Sequence, residues 1–420
     1  MFSASSFLSI LTFALAVSAT PPLVRQDSPL ISLPVAKRIN ITGTTNLVQH
    51  DRARVEALRA KAEARVSGVK KGPVSDAKSV GSVPSTNQGV DYVVNVQIGN
   101  PPTTYSLLVD TASSNTWVGA MQLYVQTSTS VQTRDTVAVD YGNGESFEGT
   151  EFFDHVSFNS GLTIFGQSIG AATDSTGFDD SDGVLGLGPT PLTIGSLTPD
   201  TTSSIPTVVD SLFAQAVTEQ DLVAISFEPT SVPGTVNGEL TFGGTDSSKF
   251  TGSINFAPIT TTSPSNQFWG INQSIRYGTS TNILSLTAGI VDTGTTLTLI
   301  ASDAFALYQT ATGAVPDAAT GLLRLDLTQF ASLQSLFYNI NNVIYEFTAN
   351  AQIFPRALNT QIGGDNEHVY LIIQDIGTHS GSGMDFTNGM TWIERFYIAL
   401  DTTNQKVGVA TTPFTHATTN

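Results

Sequence analysis

The feature that most constrains this chain is a short pattern written twice. Val109-Asp110-Thr111-Ala112-Ser113-Ser114-Asn115-Thr116-Trp117 is echoed by Val291-Asp292-Thr293-Gly294-Thr295-Thr296-Leu297-Thr298-Leu299. Each copy follows an apolar run, Leu107-Leu108-Val109 or Gly289-Ile290-Val291, that reads as a short buried strand. After the aspartate each turns through a small residue into a pair of hydroxyls. A single Asp-Thr-small-Ser/Thr-Ser/Thr string would be no more than a strand-to-turn cap. The two aspartates stand 292 − 110 = 182 positions apart, roughly one domain length. That spacing predicts a duplicated fold bringing two carboxylates together.

At 420 residues the chain has room for two domains with their own cores and for additional segments. Cysteine is absent, so no disulfide and no thiolate metal site can form. The five histidines, His50, His155, His368, His379 and His416, form neither an HExxH helix nor a ligand cluster. No metal or cofactor is expected. From Val90 onward, short β-branched and aromatic runs alternate with Gly, Asn, Asp and Thr turns, as at 92–98, 137–141, 152–158, 222–227 and 239–242. This rhythm predicts an all-β protein of barrel-like lobes rather than alternating βαβ units. Short helices are predicted over 207–216, 302–312 and 329–337.

Residues 1–19 read as a secretory signal, with an apolar core over 7–17 and a small-residue cleavage site at Val17-Ser18-Ala19. A basic n-region is missing. No later segment reaches membrane-span length. The C-terminus ends in polar Thr-His-Ala-Thr-Thr-Asn, without the tail of a lipid-anchor signal. The expectation is a secreted, extracellular protein with no membrane partner.

Charge is unevenly distributed. Of 18 Lys and Arg, 11 precede Ser79, against only five of the 35 acids. From Ser79 onward 7 basic residues face 30 acidic ones, a formal −23. A basic prefix on an acidic body is what an electrostatically held propeptide needs, and such a body repels nucleic acid. Within the prefix, 33–38 reads as a strand, 51–66 as a helix, and 69–88 as an exposed cleavage linker. Processing after Lys70-Lys71, after Lys78 or by self-cleavage nearby would all fit.

Further motifs follow in a characteristic order. They are Ile98-Gly99-Asn100-Pro101-Pro102, then Tyr141-Gly142-Asn143-Gly144, then Asp182-Gly183-Val184-Leu185-Gly186-Leu187-Gly188. Gly238-Glu239-Leu240-Thr241-Phe242-Gly243-Gly244 and Thr251-Gly252-Ser253-Ile254-Asn255 complete the set. With the doubled aspartate loop, the chain from about Val90 to its end resembles the pepsin-like aspartic endopeptidases, and among them the polyporopepsin type of basidiomycete fungi. The resemblance implies a bilobal pepsin-like fold, two β-barrel-like lobes with the active-site cleft between them and a few short helices. It divides the chain into signal peptide 1–19, basic propeptide 20–78, N-terminal lobe 79–256 and C-terminal lobe 257–420. It implies a monomer that cleaves protein or peptide substrates, apolar around the scissile bond, with its own propeptide as a partner in cis.

Residue by residue, the resemblance makes Asp110 and Asp292 the catalytic pair. It implies that Thr111 and Thr293 cross-link the two loops, and that Ser113 and Thr295 hold the outer carboxylate oxygens. Tyr141, Gly142, Asn143 and Gly144 would form a mobile flap, in which Asn-Gly is a hairpin-turn signal. Trp117 would take the tyrosine's hydrogen bond, with Asn115 in the same network. The chemistry suits the residues. Two close carboxylates share one proton, so one can take a proton from water while the other donates to the peptide carbonyl. Each such positioned step is worth roughly 10²–10⁴-fold.

Two departures stand out. Ala112 replaces the usual glycine, which costs on the order of 1 kcal/mol if its φ is positive and almost nothing if negative. Near Phe386-Thr387-Asn388-Gly389 the Ile-Leu-Gly run of the pepsins is replaced by an Asn-Gly form. Lys37, Lys70 and Lys71 are the candidates to cover the dyad in a zymogen. Asn40 and Asn272 head glycosylation sequons. A catalytically inactive pepsin-like binding protein is the alternative, although such a relative would be expected to lack an aspartate or a loop hydroxyl. A two-carboxylate glycosidase fits less well, because its acids need unlike surroundings.

Overall fold

A computed structural model describes residues 30–41, 46–67, 88–142, 144–158, 163–232 and 234–420. The expected signal at 1–19, linker residues 69–87, Lys70, Lys71 and the flap residue Asn143 lie outside the described residues.

The duplication is structural. Strand Thr103–Asp110 lies antiparallel to Gln88–Ile98 and parallel to Gly183–Gly186, with Val109 opposite Leu185 and Asp110 opposite Gly186. Its alternation places Tyr105, Leu107 and Val109 in the core. In the second lobe Thr281–Val291 lies antiparallel to Gly270–Tyr277 and parallel to Phe386–Asn388, with Val291 opposite Asn388. Each aspartate therefore leaves a central strand beside a short parallel neighbour.

The lobes are joined by a shared sheet. Leu222–Phe227 is flanked by Val236–Phe242 and by Phe396–Asp401, so strands from the middle and from the C-terminal part of the chain meet there. A seven-stranded sheet carries the second lobe. Apolar packing continues across the junction through Val109, Trp269 and Val291, and the Trp269 indole donates to Leu187 O at 2.9 Å. No helix among the described residues is long and apolar enough to cross a membrane.

Two elements of the basic prefix are built into this body. Strand Ile31–Ile41 lies between Val236–Phe242 and Gln88–Ile98, antiparallel to both, and buries Leu33 and Val35. Helix Leu47–Ser67 starts where Asn46 Oδ1 accepts the Gln49 amide at 3.0 Å. Leu47, Asp51, Arg54, Val55, Leu58 and Ala62 are buried, and the recurrence at 47, 51, 54–55, 58 and 62 marks one helical face.

Helices Val208–Ala214 and Ser302–Thr312 lie where the sequence places them, the first closed by a capping box at Thr207. The expected helix over 329–337 is corrected. Only Leu327–Phe330 is helical, and Leu336–Ile340 forms a hairpin with Val343–Phe347. The turn residues Asn341 and Asn342 adopt φ of 47° and 66°. Positive φ at both central positions matches the strands' twist, and asparagine tolerates it, so turn chemistry overrides the local helical spacing.

Candidate active site

The two aspartate loops make the same hydrogen bonds, one set in each lobe. Asp110 Oδ1 accepts the Ala112 amide at 2.9 Å and Oδ2 the Ser113 hydroxyl at 2.6 Å. Asp292 Oδ1 accepts the Gly294 amide at 2.9 Å and Oδ2 the Thr295 hydroxyl at 2.6 Å. Both carboxylates are thereby fixed in orientation, with 4% and 0% of their residues exposed. The loops are stitched together beneath. Thr111 N–H donates to Thr293 Oγ1 at 3.1 Å and Thr293 N–H to Thr111 Oγ1 at 3.0 Å. The hydroxyls donate onward, Thr111 to Val291 O at 3.2 Å and Thr293 to Val109 O at 2.7 Å.

Ala112 is not among the residues with positive φ. Alanine is therefore at home here, and the second of the two sequence expectations applies.

Over the first loop lies the hairpin of Val131–Asp140 and Ser146–Ser157. Tyr141 N–H donates to Glu145 O at 2.8 Å and Gly142 N–H to Asp140 Oδ1 at 2.7 Å. Gly142 and Gly144 have φ of 80° and 92°, the region glycine reaches without strain. The Trp117 indole donates to Tyr141 Oη at 2.9 Å. Burial and the Asp110 charge push the Tyr141 phenol well up, against hydrogen bonds with Trp117 and Ser113. It therefore stays a neutral hydroxyl. Asn115 is turned elsewhere, its amide donating to Ser196 Oγ at 3.0 Å.

The cleft between the loops and the flap is filled by helix Leu47–Ser67. Arg54 Nη2 lies 2.7 Å from Asp110 Oδ1 and 3.1 Å from Asp292 Oδ1, and Nε lies 2.9 Å from Asp292 Oδ2. Burial opposes this charge, but the Asp110 and Asp292 carboxylates outweigh it and hold the guanidinium protonated. One turn earlier, Asp51 accepts the Thr296 and Leu297 amides at 3.3 and 2.7 Å. His50 bridges Asp51 and Glu145, with each ring nitrogen 3.3 Å from a carboxylate oxygen. Further along, Arg59 donates to Met384 O at 3.0 Å and Arg65 to Leu192 O at 2.6 Å. Lys61 Nζ sits 5.7 Å from the Tyr141 ring centre. The flap rests on the same helix: a Cβ on Gly142 would fall 1.7 Å from Ala57 Cβ.

Covering of the dyad by Lys37 is thus corrected. Lys37 Nζ instead lies 2.6 Å from Glu394 Oε1, two residues before strand Phe396–Asp401, and the cation on the aspartates is Arg54. The basic composition of 51–66 is the one signal that pointed toward this helix. Nothing local ranks Arg54 above Arg52, Arg59, Lys61 or Arg65.

Comparison with known proteins agrees with this geometry. The chain belongs to the eukaryotic aspartyl protease family, whose match runs over residues 91–412. It is an aspartic endopeptidase of the pepsin type, a hydrolase acting on protein or peptide substrates. It is 63% identical to polyporopepsin of Irpex lacteus over 342 residues, covering 81% of this chain and 100% of that protein. Rhizopuspepsin of Rhizopus chinensis is 31% identical over 379 residues, 86% of this chain and 89% of its own. The crystal structure of the aspartic proteinase from Irpex lacteus superposes with a TM-score of 0.77, covering 81% of this chain and 99% of that one.

Proposed function

We propose that this chain is the zymogen of a secreted, monomeric aspartic endopeptidase, with Asp110 and Asp292 as its catalytic pair working in acid. The observation that carries the reading is the pair of equivalent loops, each orienting one carboxylate toward the same guanidinium, that of Arg54. Carboxylates held this way, once the guanidinium leaves, share one proton and hold a water between them. The ionised partner takes a proton from that water as it attacks the peptide carbonyl. The protonated partner donates to the carbonyl oxygen, and as the tetrahedral intermediate collapses the proton taken from water passes to the leaving amine. Thr111 and Thr293 keep the carboxylates in register, while Tyr141 and the flap close over the substrate and exclude water.

The family match begins at residue 91, after the prefix that fills the cleft. In this reading residues 20–78 are a propeptide bound in cis. With Arg54 on the dyad and Ala57 under the flap, no peptide substrate can enter. Acid would release it, because protonating Asp110, Asp292, Asp51 and Glu145 removes the charges that hold Arg54 and His50. Residues 1–19 would direct secretion to the extracellular medium.

The test is cleavage of a peptide by acid-treated chain at about pH 3–4, where a carboxylate dyad holds one proton. It is run with and without pepstatin and against Asp292→Asn. Cleavage lost with both the inhibitor and the substitution supports the dyad. Undiminished cleavage by Asp292→Asn, or full activity of the unprocessed chain at neutral pH, overturns the reading.

A further inference from the structure

We infer that Gln273 and Asn388 are positioning residues for Asp292, holding its loop through a buried amide pair that has no counterpart in the first lobe. The inference rests on the catalytic role proposed for Asp292.

The two aspartate loops sit on matching scaffolds. The residue before each aspartate faces a parallel neighbour: Val109 faces Leu185, and Val291 faces Asn388. The next residue of each neighbour is a glycine pressed against its loop. A Cβ on Gly186 would lie 2.5 Å from the Ser114 carbonyl carbon, and one on Gly389 2.0 Å from Leu297 O. The lobes agree in all of this and differ at one position. Where the first lobe buries the apolar Leu185, the second buries an amide, Asn388, with 0% exposure in each case.

That amide both donates and accepts. Asn388 Nδ2 donates to Gln273 Oε1 at 2.8 Å, and Gln273 Nε2 donates to Asn388 Oδ1 at 3.1 Å. Gln273 is also 0% exposed. The two residues belong to Gly270–Tyr277 and Phe386–Asn388, which flank Thr281–Val291 on either side in the sheet. The amide ring therefore straps the strand that delivers Asp292. The Asn388 end of the strap reaches the loop directly. Asp292 N–H donates to Asn388 O at 3.1 Å, Met390 N–H to Thr295 O at 2.7 Å, and Thr391 N–H to Thr296 O at 3.1 Å. A displaced Asn388 moves both Asp292 and the Thr295 hydroxyl that orients it.

An apolar pair would fill the same space, as Leu185 does, but contact alone sets no direction. Two opposed hydrogen bonds fix both separation and rotation, and reacting groups must be held within about 0.5 Å of productive geometry. The cost of an amide in a dry interior is a strict need for its partner.

The experiment uses the full chain, activated in acid, with Asp292→Asn as reference. Wild-type cleavage by Asp292→Asn would sink the dyad assignment, and this inference with it. With that reference inactive, three variants decide: Asn388→Leu, the double variant Gln273→Met/Asn388→Leu, and Gln273→Glu. Asn388→Leu strands the Gln273 amide and lowers the thermal midpoint. The double variant regains the midpoint, yet its kcat stays at least tenfold down with KM within twofold. Gln273→Glu keeps the shape, and its protonated carboxyl both donates and accepts. Its kcat matches wild type in strong acid and falls away earlier as pH rises. A double variant with wild-type kcat and pH profile would reduce the pair to core packing, as would a Gln273→Glu profile identical to wild type. Should the double variant not fold, the Gln273→Glu profile decides alone.

Discussion

Lys37 and Glu394 stand 357 residues apart in sequence and meet in the interior, Nζ to Oε1 at 2.6 Å, with side chains 2% and 3% exposed. Tyr92 Oη donates to the same Glu394 oxygen at 3.0 Å. Lys37 lies on Ile31–Ile41, the inserted strand, so this pair pins the prefix to the shared sheet through an element separate from the helix in the cleft. Removing the cation leaves a carboxylate in a dry site, and breaking a buried pair in this way costs about 3–5 kcal/mol. Lys37→Met should therefore lower the urea midpoint of the unprocessed chain sharply. Lys37→Met/Glu394→Gln should recover most of the loss, because the remaining amide is neutral. Equal midpoints for wild type and Lys37→Met would count against an anchoring role.

Arg54 gives a different expectation, because its loss frees two aspartates that can share a proton. Hydrogen bonds to charged groups contribute about 1.5–3 kcal/mol each, so Arg54→Met should raise the population of undocked helix at least about tenfold. Conversion of the intact chain, followed by gel at mildly acidic pH, should accelerate by a similar factor. Unchanged conversion half-lives would mean that the helix is held by its other contacts.

His50 carries a pH dependence whose sign can be worked out. Burial lowers its pKa, but hydrogen bonds and charge from Asp51 and Glu145 outweigh that and hold it at about 10, up from 6.5. A pKa raised on folding contributes stability that is complete below about pH 6.5 and is lost as pH climbs through about 10. The thermal-midpoint gap between wild type and His50→Gln should therefore be wide at pH 6 and narrow at pH 9.5. A gap that widens over that interval would contradict the ion pairing. In acid the imidazole stays charged, so acid release must come from the carboxylates that face it.

What the sequence disclosed and what it hid follow one physical line. The aspartate loops were legible because the amide and the hydroxyl that each carboxylate accepts from its own loop lie within three residues of it, in a string that occurs twice. The flap tyrosine and Trp117 were legible only through resemblance. Arg54 was not, because the buried face of its helix carries His50, Asp51 and Arg54 among Leu47, Val55 and Leu58. A face that buries charge shows no apolar periodicity, and it can be found only from the carboxylates it meets. The change at Asn388 was visible as a departure. Its partner Gln273 lies 115 residues away and acquires meaning only when the strands are set side by side.

The loop asymmetry at Ala112 leads to a last expectation, opposite to what family likeness suggests. Ala112 and Gly294 are counterparts, and both amides donate to the inner oxygen of their aspartate at 2.9 Å. Neither has positive φ, so neither position needs glycine for its backbone. Ala112→Gly would then relieve no strain and would only loosen the unfolded chain, lowering stability by about 0.4–1 kcal/mol. The reverse change is not symmetrical. A Cβ on Gly294 would stand 2.4 Å from Arg54 Nη2 and 3.1 Å from Asp110 Oδ1. Gly294→Ala should therefore disturb the docked prefix more than the processed enzyme, because the nearest obstacle is the far end of a side chain that leaves. Peptide cleavage and thermal midpoints of the two variants, before and after acid processing, check both halves. A gain of activity in Ala112→Gly would show strain at Ala112 after all.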